Sequence, residues 1–137
     1  NKPLIVRNPD SIRPWQHVLD PLKGYLLLAK KLYFDNQKKL TQNWNFGPDK
    51  KDLKSVRNIV DFFKSSNPRL EVKYEKSDFY ESKVLKLDIS KSKQYLNWKP
   101  KWDFQKSLIE VDSWYKNFYS NEGIEQHSVQ SIKEFNS

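Results

Sequence analysis

The stretch Ile12-Arg13-Pro14-Trp15-Gln16-His17-Val18-Leu19-Asp20-Pro21-Leu22 decides the class of fold. A residue that precedes proline avoids the α region of backbone space, so the chain before Pro14 is expected to be extended. Asp20 is a good helix cap and Pro21 is favoured at the first helical position, so we expect a helix to begin there. Apolar residues then recur every three or four positions as far as Tyr33, which is the period of an amphipathic helix. The stretch therefore predicts a strand followed by a helix.

The apolar surface of this helix is unusually wide. Leu27 and Leu28 lie beside the main apolar face and extend it. A helix that is apolar on more than one side is normally covered on more than one side. We therefore expect neighbours on at least two sides of it.

Short strands and amphipathic helices alternate along the rest of the chain, which predicts a small mixed α/β domain. The expected strands cover residues 42–46 and 70–74, and the expected helices cover 56–63, a short helix that Ser90 caps and that runs through Leu96, and 104–122. Asp52 and Asp103 are the expected caps of the second helix and of the longest helix, which Gly123 is expected to end. Asn97 suits the left-handed position after the short helix, because Pro100 prevents its continuation.

We expect two parts along the chain. Residues 1–122 form the main domain, and residues 123–137 form a C-terminal tail or a short docked helix, since Val129, Ile132 and Phe135 recur at steps of three. No apolar run approaches the roughly 20 residues that a membrane span needs, so no membrane partner is expected. The chain has no Met, not even at position 1, and we expect it to be a fragment or a processed chain.

Composition narrows the classes of function. The chain has 137 residues, of which 15% are aromatic, and this content is typical of a folded domain. The absence of Cys excludes disulfides and thiolate metal sites, and two distant His residues make no metal site, so no metal is expected. The net charge of +8 comes mostly from scattered lysines, which predicts a solvated surface. A basic module that binds nucleic acid or an acidic partner stays open as a second alternative, although we expect no nucleic acid.

Two motifs of enzyme chemistry are weak here. The only glycines are Gly24, Gly47 and Gly123, and their spacing forms neither a dinucleotide-binding turn nor a phosphate-binding loop. Tyr95 and Lys99 match a Tyr-x-x-x-Lys acid–base pair, but the proline after Lys99 disfavours the continuous helix that the pair needs. We therefore predict no catalytic residue and no cofactor-binding residue in this chain.

Three stretches together carry a family resemblance. They are Ile12-Arg13-Pro14-Trp15-Gln16-His17-Val18, Asn43-Trp44-Asn45-Phe46-Gly47-Pro48 and Leu96-Asn97-Trp98-Lys99-Pro100-Lys101-Trp102. In this order they resemble the carboxy-terminal half of the nucleotide-sugar enzymes of the extended short-chain dehydrogenase family, above all its CDP-glucose 4,6-dehydratases. Leu87-Asp88-Ile89-Ser90-Lys91-Ser92 agrees with the same pattern. The resemblance runs from about residue 5 to the tail.

The resemblance implies a fold and a reaction. The chain would be the substrate-binding part of an NAD-dependent lyase whose amino-terminal Rossmann half is absent. The complete enzyme would convert CDP-glucose to CDP-4-keto-6-deoxyglucose for O-antigen and lipopolysaccharide biosynthesis. It would be cytoplasmic and a homo-oligomer, with NAD held by the missing half. Another nucleotide-sugar epimerase or dehydratase of the same family is the alternative.

The resemblance also implies four substrate-binding residues. Arg13 matches a family arginine that meets the nucleotide phosphates, and a guanidinium suits phosphate because it donates two parallel hydrogen bonds. Asn45 matches a family asparagine near the nucleotide, while Trp15 and His17 would line the pocket. The alternatives are a surface ion pair for Arg13, a turn cap for Asn45 and plain core packing for the other two. The stretch Tyr80-Glu81-Ser82 departs from the family pattern, so it contributes no predicted site residue.

The glycine pattern yields a first testable prediction. We expect free NAD not to bind this 137-residue chain, because no glycine cluster lets the backbone approach a pyrophosphate. Titration calorimetry should give no dissociation constant tighter than about 1 mM, which corresponds to about −4 kcal/mol. A tighter constant would contradict the prediction.

Overall fold

The computed structural model describes residues 2–34, 40–75 and 81–137. Helices and short strands alternate along these residues, which confirms the mixed architecture. The strands are β1 (Leu4–Val6), β2 (Ile12–Arg13), β3 (Lys54–Ser55) and β4 (Val72–Tyr74). The α-helices are α1 (Leu19–Phe34), α2 (Val56–Ser66), α3 (Ser90–Leu96), α4 (Phe104–Ser120) and α5 (Ile124–Asn136), and a 3₁₀ helix covers Lys50–Asp52.

Helix α1 forms as predicted, but Asp20 does not cap it. The helix already begins at Leu19, and the Asp20 side chain is fully buried. Its Oδ1 accepts a hydrogen bond of 2.6 Å from the backbone N–H of Lys101. Its own carbonyl accepts a hydrogen bond of 3.1 Å from the indole N–H of Trp98. Asp20 thus connects α1 to the loop after α3, because a buried carboxyl needs a donor and that loop supplies one.

The core contains a cluster of buried apolar side chains. Its members are Phe46, Ile89, Leu96 and Trp98, with Leu27 and Leu28 of α1 packed against them. The rings of Phe46 and Trp98 meet edge to face, with centroids 5.0 Å apart. Phe46 fits only because position 24 is glycine, since a Cβ there would overlap the phenyl ring. The close approach of α1 to Phe46 therefore depends on Gly24.

The predicted strand over residues 42–46 is wrong, because these residues form no strand. Three of the carbonyls in this segment accept from side chains instead of from a neighbouring strand, and one of them is the Asn43 carbonyl, which accepts from the Lys91 ammonium at 2.9 Å. The Gln16 amide donates to the Phe46 carbonyl at 2.7 Å, and the Ser92 hydroxyl donates to the Asn45 carbonyl. The alternating apolar residues do turn inward. The backbone carbonyls of the segment, however, are hydrogen-bonded by side chains from elsewhere in the chain, and a sequence pattern does not reveal such partners.

The predicted cap at Asp52 and the predicted helix end at Gly123 are wrong, whereas the predicted cap at Asp103 is confirmed. Asp52 does not cap α2, because Ser55 does so through a capping box with Asn58. Asp52 instead accepts a hydrogen bond of 3.2 Å from the Phe104 backbone at the start of α4. Asp103 caps α4 as predicted, accepting from a backbone N–H three residues later. Gly123 does not end α4, as described next.

Two asparagines end helices in the left-handed conformation. Asn97 follows α3 with φ of 51°, as predicted. Helix α4 ends at Ser120, and Asn121 takes the left-handed position with φ of 57°. Gly123, with φ of 48°, directly precedes α5 instead. Asparagine tolerates this conformation better than other residues with a side chain. Asn121 can therefore end α4 two residues before Gly123.

Two pairs of strands organise the first half of the chain. β1 and β4 are parallel, with Leu4 opposite Val72. β2 and β3 are antiparallel, with Arg13 opposite Lys54. A parallel bridge from Ile12 to Val84 adds a third segment beside β2. β2 therefore runs between β3 and the chain around residue 84.

Residues 124–136 form the helix α5, which packs against α4. Phe135 is buried, and its ring lies edge to face with Trp102 at 5.0 Å. The Lys101 ammonium donates to the Phe135 carbonyl at 2.8 Å. The division of the chain at residue 122 stays a prediction. In the part of the chain that the structure describes, none of the helices is long and apolar enough to cross a membrane.

The buried carboxyl of Asp20 yields a stability prediction. Replacement of Asp20 by Ala leaves the Lys101 N–H without its acceptor, which should lower the free energy of unfolding by about 1–3 kcal/mol. Asp20→Asn keeps an acceptor oxygen and should lose less. Urea unfolding measures both variants, with Lys64→Ala on the exposed side of α2 as the control. Equal stability of wild type and Asp20→Ala would contradict the prediction.

The same carboxyl should make stability depend on pH. Burial raises the pKa of Asp20 above its ordinary value of 3.8, against the opposing effect of the Lys101 and Trp102 amides. The folded state therefore holds the proton more tightly than the unfolded state. The contribution of Asp20 to the free energy of unfolding is complete below pH 3.8, the ordinary pKa. It is lost as the pH rises through the raised pKa of the folded state. The stability of wild type relative to Asp20→Asn should fall over that interval, and a constant difference would refute the assignment.

Candidate functional site: a basic cleft at the end of β2

The strand that carries Arg13 ends at a cleft. β2 is antiparallel to β3, so beyond Arg13 the neighbouring chain continues from Lys54 back to Leu53. On the other side, the bridge from Ile12 to Val84 is parallel, so that chain continues forward to Lys86. Both neighbours therefore extend past the Arg13 end of β2, and the residues that they reach there, Leu53 and Lys86, line a cleft.

The cleft has a volume of about 650 Å³. This lies within the range of about 300–1,000 Å³ that is usual for small-molecule sites. One wall comes from the 3₁₀ helix and its flanks, and the other from the chain that leads into α3. The lining residues are Pro48, Asp49, Lys50, Lys51, Leu53, Lys86, Leu87, Asp88, Ile89, Ser90 and Lys93.

The lining is predominantly positive. Four lysines face two aspartates, which leaves an excess of two positive charges. Lys93 forms an ion pair with Asp49. Hydrogen bonds from Ser90 hold the pKa of Asp88 below its ordinary value, and the positive charge of Lys50 lowers it further. Asp88 is therefore an anion with its own donors, and the excess positive charge of the lining attracts an anionic ligand.

Asn45 lies beside this cleft. Its side-chain amide donates a hydrogen bond of 3.2 Å to the carbonyl of Asp88, a lining residue. The carbonyl of Asn45 is held by the hydroxyl of Ser92, which is buried at the start of α3. Asn45 therefore fixes one wall of the cleft relative to the core, and it is not itself part of the lining.

Arg13 stands at the end of β2, but its guanidinium turns back along the strand. It forms an ion pair with Glu81 and donates to the carbonyls of Ser82, at 3.0 Å, and of Ile12, at 2.9 Å. The Arg13 guanidinium holds the pKa of Glu81 below its ordinary value, with a further hydrogen bond from Asn8. Glu81 belongs to the stretch that we set aside in the sequence, and Tyr80 of that stretch lies outside the described residues.

Trp15 and His17 point to different parts of the fold. The Trp15 indole donates to the carbonyl of Lys54 in β3 at 3.0 Å. The His17 ring meets the Trp102 ring edge to face at 4.7 Å, and its Nδ1 accepts from the Leu19 backbone at 3.3 Å. Burial lowers the pKa of His17, which is only partly offset by the negative charge of Glu110.

The structure therefore does not gather the four predicted residues in one place. Arg13 and Trp15 are attached to the β2–β3 pair, Asn45 lies at the cleft, and His17 faces the packing of α4 and α5. Among the residues that the structure describes, no hydrogen bond joins Arg13 to Asn45. Their role in ligand binding stays a prediction.

Sequence reasoning missed the lysines of the cleft. We interpreted the lysines as scattered and solvated, and four of them converge because different segments form the two walls. The adjacent pair Lys50 and Lys51, directly after the turn Gly47-Pro48-Asp49, was the only local signal. Lys86 and Lys93 carry no such signal.

The cleft can bind an anion electrostatically, since lysines act as point charges with several hydrogen-bond donors. Tyr95 lies in α3, which ends at Leu96, so Lys99 does not share a helix with it. Within residues 2–34, 40–75 and 81–137, no three His, Cys, Asp or Glu side chains come together as metal ligands would. The positive lining of the cleft therefore supports binding of an anion.

Comparison with known proteins points to nucleotide-sugar dehydratases as the class that this chain resembles. No family model matches the chain. The CDP-glucose 4,6-dehydratase of Salmonella typhimurium is 37% identical to it over 137 residues. The match covers 98% of this chain and 38% of that relative, in its carboxy-terminal part. The resemblance predicted from the three sequence stretches is therefore confirmed.

The charge of the cleft yields a binding prediction. The double variant Lys50→Ala/Lys86→Ala removes one lysine from each wall and should weaken binding of inorganic pyrophosphate several-fold. Lys64→Ala, an exposed lysine on α2, is the control and should leave the affinity unchanged. The difference should shrink as salt rises toward 1 M, where screening acts within about 3 Å. Equal affinity of the double variant and wild type would remove the cleft from consideration.

Proposed function

We propose that this chain supplies the substrate-binding part of a nucleotide-sugar dehydratase that converts CDP-glucose to CDP-4-keto-6-deoxyglucose. The observation that carries the proposal is 37% identity, over 98% of the chain, to a protein named CDP-glucose 4,6-dehydratase. The basic cleft at the end of β2 supports it, because a nucleoside diphosphate sugar is negatively charged and the lining has an excess of two positive charges.

In this proposal the cleft holds the diphosphate and Asn45 keeps one wall in position. Arg13 joins the phosphate contacts from the end of β2. Its two hydrogen bonds to backbone carbonyls orient it, while its ion pair with the exposed Glu81 exchanges for phosphate. Because Glu81 is exposed, a phosphate can take its place at the guanidinium. Trp15 and His17 act through the packing that holds β2 and the start of α1.

The described residues do not fit NAD, so the proposal assigns the cofactor to an amino-terminal Rossmann half. A pyrophosphate site needs glycines that open toward the ligand. Gly24 faces the Phe46 ring, Gly47 lies against Leu87, and Gly123 precedes α5. This chain's own residues are therefore assigned to holding the substrate.

The remaining elements of the proposal follow from the substrate class. Sugar nucleotides are made and consumed in the cytoplasm, so we place the complete enzyme there, as a homo-oligomer that supplies deoxysugars for O-antigen and lipopolysaccharide. The relative is about two and a half times as long as the match, since the match covers 38% of it. The activity of that relative is assigned to this chain only as part of the proposal.

Turnover of CDP-glucose by the complete enzyme tests the proposal. With NAD supplied, the product should appear as the absorbance of a 4-keto sugar in alkali, and the 137-residue chain alone should give none. A nicotinamide must be held against sugar C4 for the reaction, and the residues that the structure describes do not fit it. Turnover of UDP- or dTDP-glucose in place of CDP-glucose would keep the family and reject the substrate. Activity of the isolated chain would refute the assignment of NAD binding to the amino-terminal half.

Arg13→Ala in the complete enzyme tests the phosphate contact. The loss of a charged hydrogen-bonding partner should cost about 1.5–3 kcal/mol, or a factor of about 10–150 in kcat/KM, mainly through KM. Arg7→Ala, which removes an exposed arginine just before the turn into β2, is the matched control and should leave the kinetics unchanged. A KM for Arg13→Ala equal to that of wild type would remove Arg13 from the site.

A further inference from the structure

One carboxylate of the cleft joins its two walls. Asp49 occupies the cap position of the 3₁₀ helix Lys50–Asp52, and its backbone has the extended conformation of a cap, with φ of −66° and ψ of 158°. A carboxylate at a cap position normally accepts a hydrogen bond from a backbone N–H in the first turn of the helix. The Asp49 side chain accepts no such bond from this helix, and it forms an ion pair with Lys93 of α3.

The other aspartate of the lining is used differently. The Oδ1 of Asp88 accepts a hydrogen bond of 2.9 Å from the backbone N–H of Ser90, which shapes the entry of the chain into α3. Asp49, by contrast, is bound to a lysine that lines the same cleft. The Asp49 side chain is 35% exposed and that of Lys93 is 45% exposed. A dissolved anion can therefore reach both partners of this ion pair.

We propose that Asp49 is an internal competitor of the anionic ligand, and that the Lys93 ammonium is exchanged between the two. This inference rests on the proposed function, in which the cleft holds the diphosphate of a sugar nucleotide. When the ligand binds, Lys93 turns from Asp49 to a phosphate oxygen. The Asp49 carboxylate then caps the 3₁₀ helix, for which its backbone already has the required conformation. Asp49 thereby sets the affinity of the cleft.

The charges of the lining give the exchange its direction. The excess of positive charge is only two, so one lysine held by a carboxylate is a large part of the attraction for a ligand. A diphosphate carries more negative charge than one carboxylate and accepts from several ammonium groups at once, so it competes well for Lys93. A carboxylate that stayed beside the ligand would repel it. Its movement to the helix terminus removes that charge to backbone N–H donors.

Binding of inorganic pyrophosphate by variants of the complete enzyme tests the exchange. Asp49→Asn keeps the size of the side chain and its capping oxygen, but it removes the charge that holds Lys93. Lys93→Ala removes the exchanged cation, and the double variant completes a mutant cycle. Asp10→Asn is the matched control, because Asp10 is an exposed aspartate that forms an ion pair with Arg57 outside the cleft. Titration calorimetry is carried out at saturating NAD, which occupies the pyrophosphate site of the amino-terminal half.

Asp49→Asn should bind pyrophosphate at least about threefold more tightly than wild type, as expected when a competing exposed ion pair is removed. Asp10→Asn should bind it as wild type does. The gain should disappear in the Lys93→Ala background, because no cation is then exchanged. An unchanged or weaker affinity of Asp49→Asn would overturn the inference. An equal gain in the Lys93→Ala background would also overturn it, since that result indicates simple repulsion by Asp49.

Turnover of CDP-glucose, measured on the same samples, separates this inference from the proposed function. Asp49→Asn should lower the KM for CDP-glucose, because the sugar nucleotide no longer competes with a carboxylate. Turnover of CDP-glucose together with an unchanged pyrophosphate affinity of Asp49→Asn would reject only the exchange. The expected gain in pyrophosphate affinity without turnover of any sugar nucleotide would reject only the proposed function.

Discussion

A carboxyl group removed from solvent joins the two halves of the described fold. Asp20 lies in the first turn of α1, and it accepts from the backbone of Lys101 while its carbonyl accepts from the Trp98 indole. A buried carboxylate without donors would destabilise the fold by several kcal/mol, so the loop after α3 must stay where its N–H reaches the acid. That loop is in turn shaped by Asn97 in the left-handed conformation and by Pro100. The position of α1 relative to α3 follows from these two hydrogen bonds.

The candidate site depends on this connection through the core. Trp98 packs on Phe46, and Phe46 reaches its place only because Gly24 has no side chain. The segment around Phe46 leads directly into the turn and the 3₁₀ helix that form one wall of the cleft. A change at Asp20 or Gly24 therefore moves a wall of the cleft without touching any of its lysines.

The helices were predictable from sequence because an amphipathic helix shows its period locally. Local chemistry also placed Asn97 and Asp103 correctly, since each acts on backbone within a few residues. Asp20 and Asp52 looked like caps for the same reason, yet both accept from backbone N–H groups far along the chain. The alternation in residues 42–46 resembled a strand, but a strand needs a partner that no local pattern reports. The cleft was hidden for the same physical reason, because its lysines come from segments more than 30 residues apart.

The placement of the lysines bears on the class of ligand. On α4, Lys106 is paired with Glu110 and Glu134, and Lys116 is paired with Asp112. The net charge of +8 therefore does not spread evenly over the surface. The lysines of the cleft converge on a concave volume of about 650 Å³. A nucleic acid would instead need cations along an extended face, with arginines to contact base edges. A concave group of lysines with a neighbouring asparagine suits a small anion that enters between two walls.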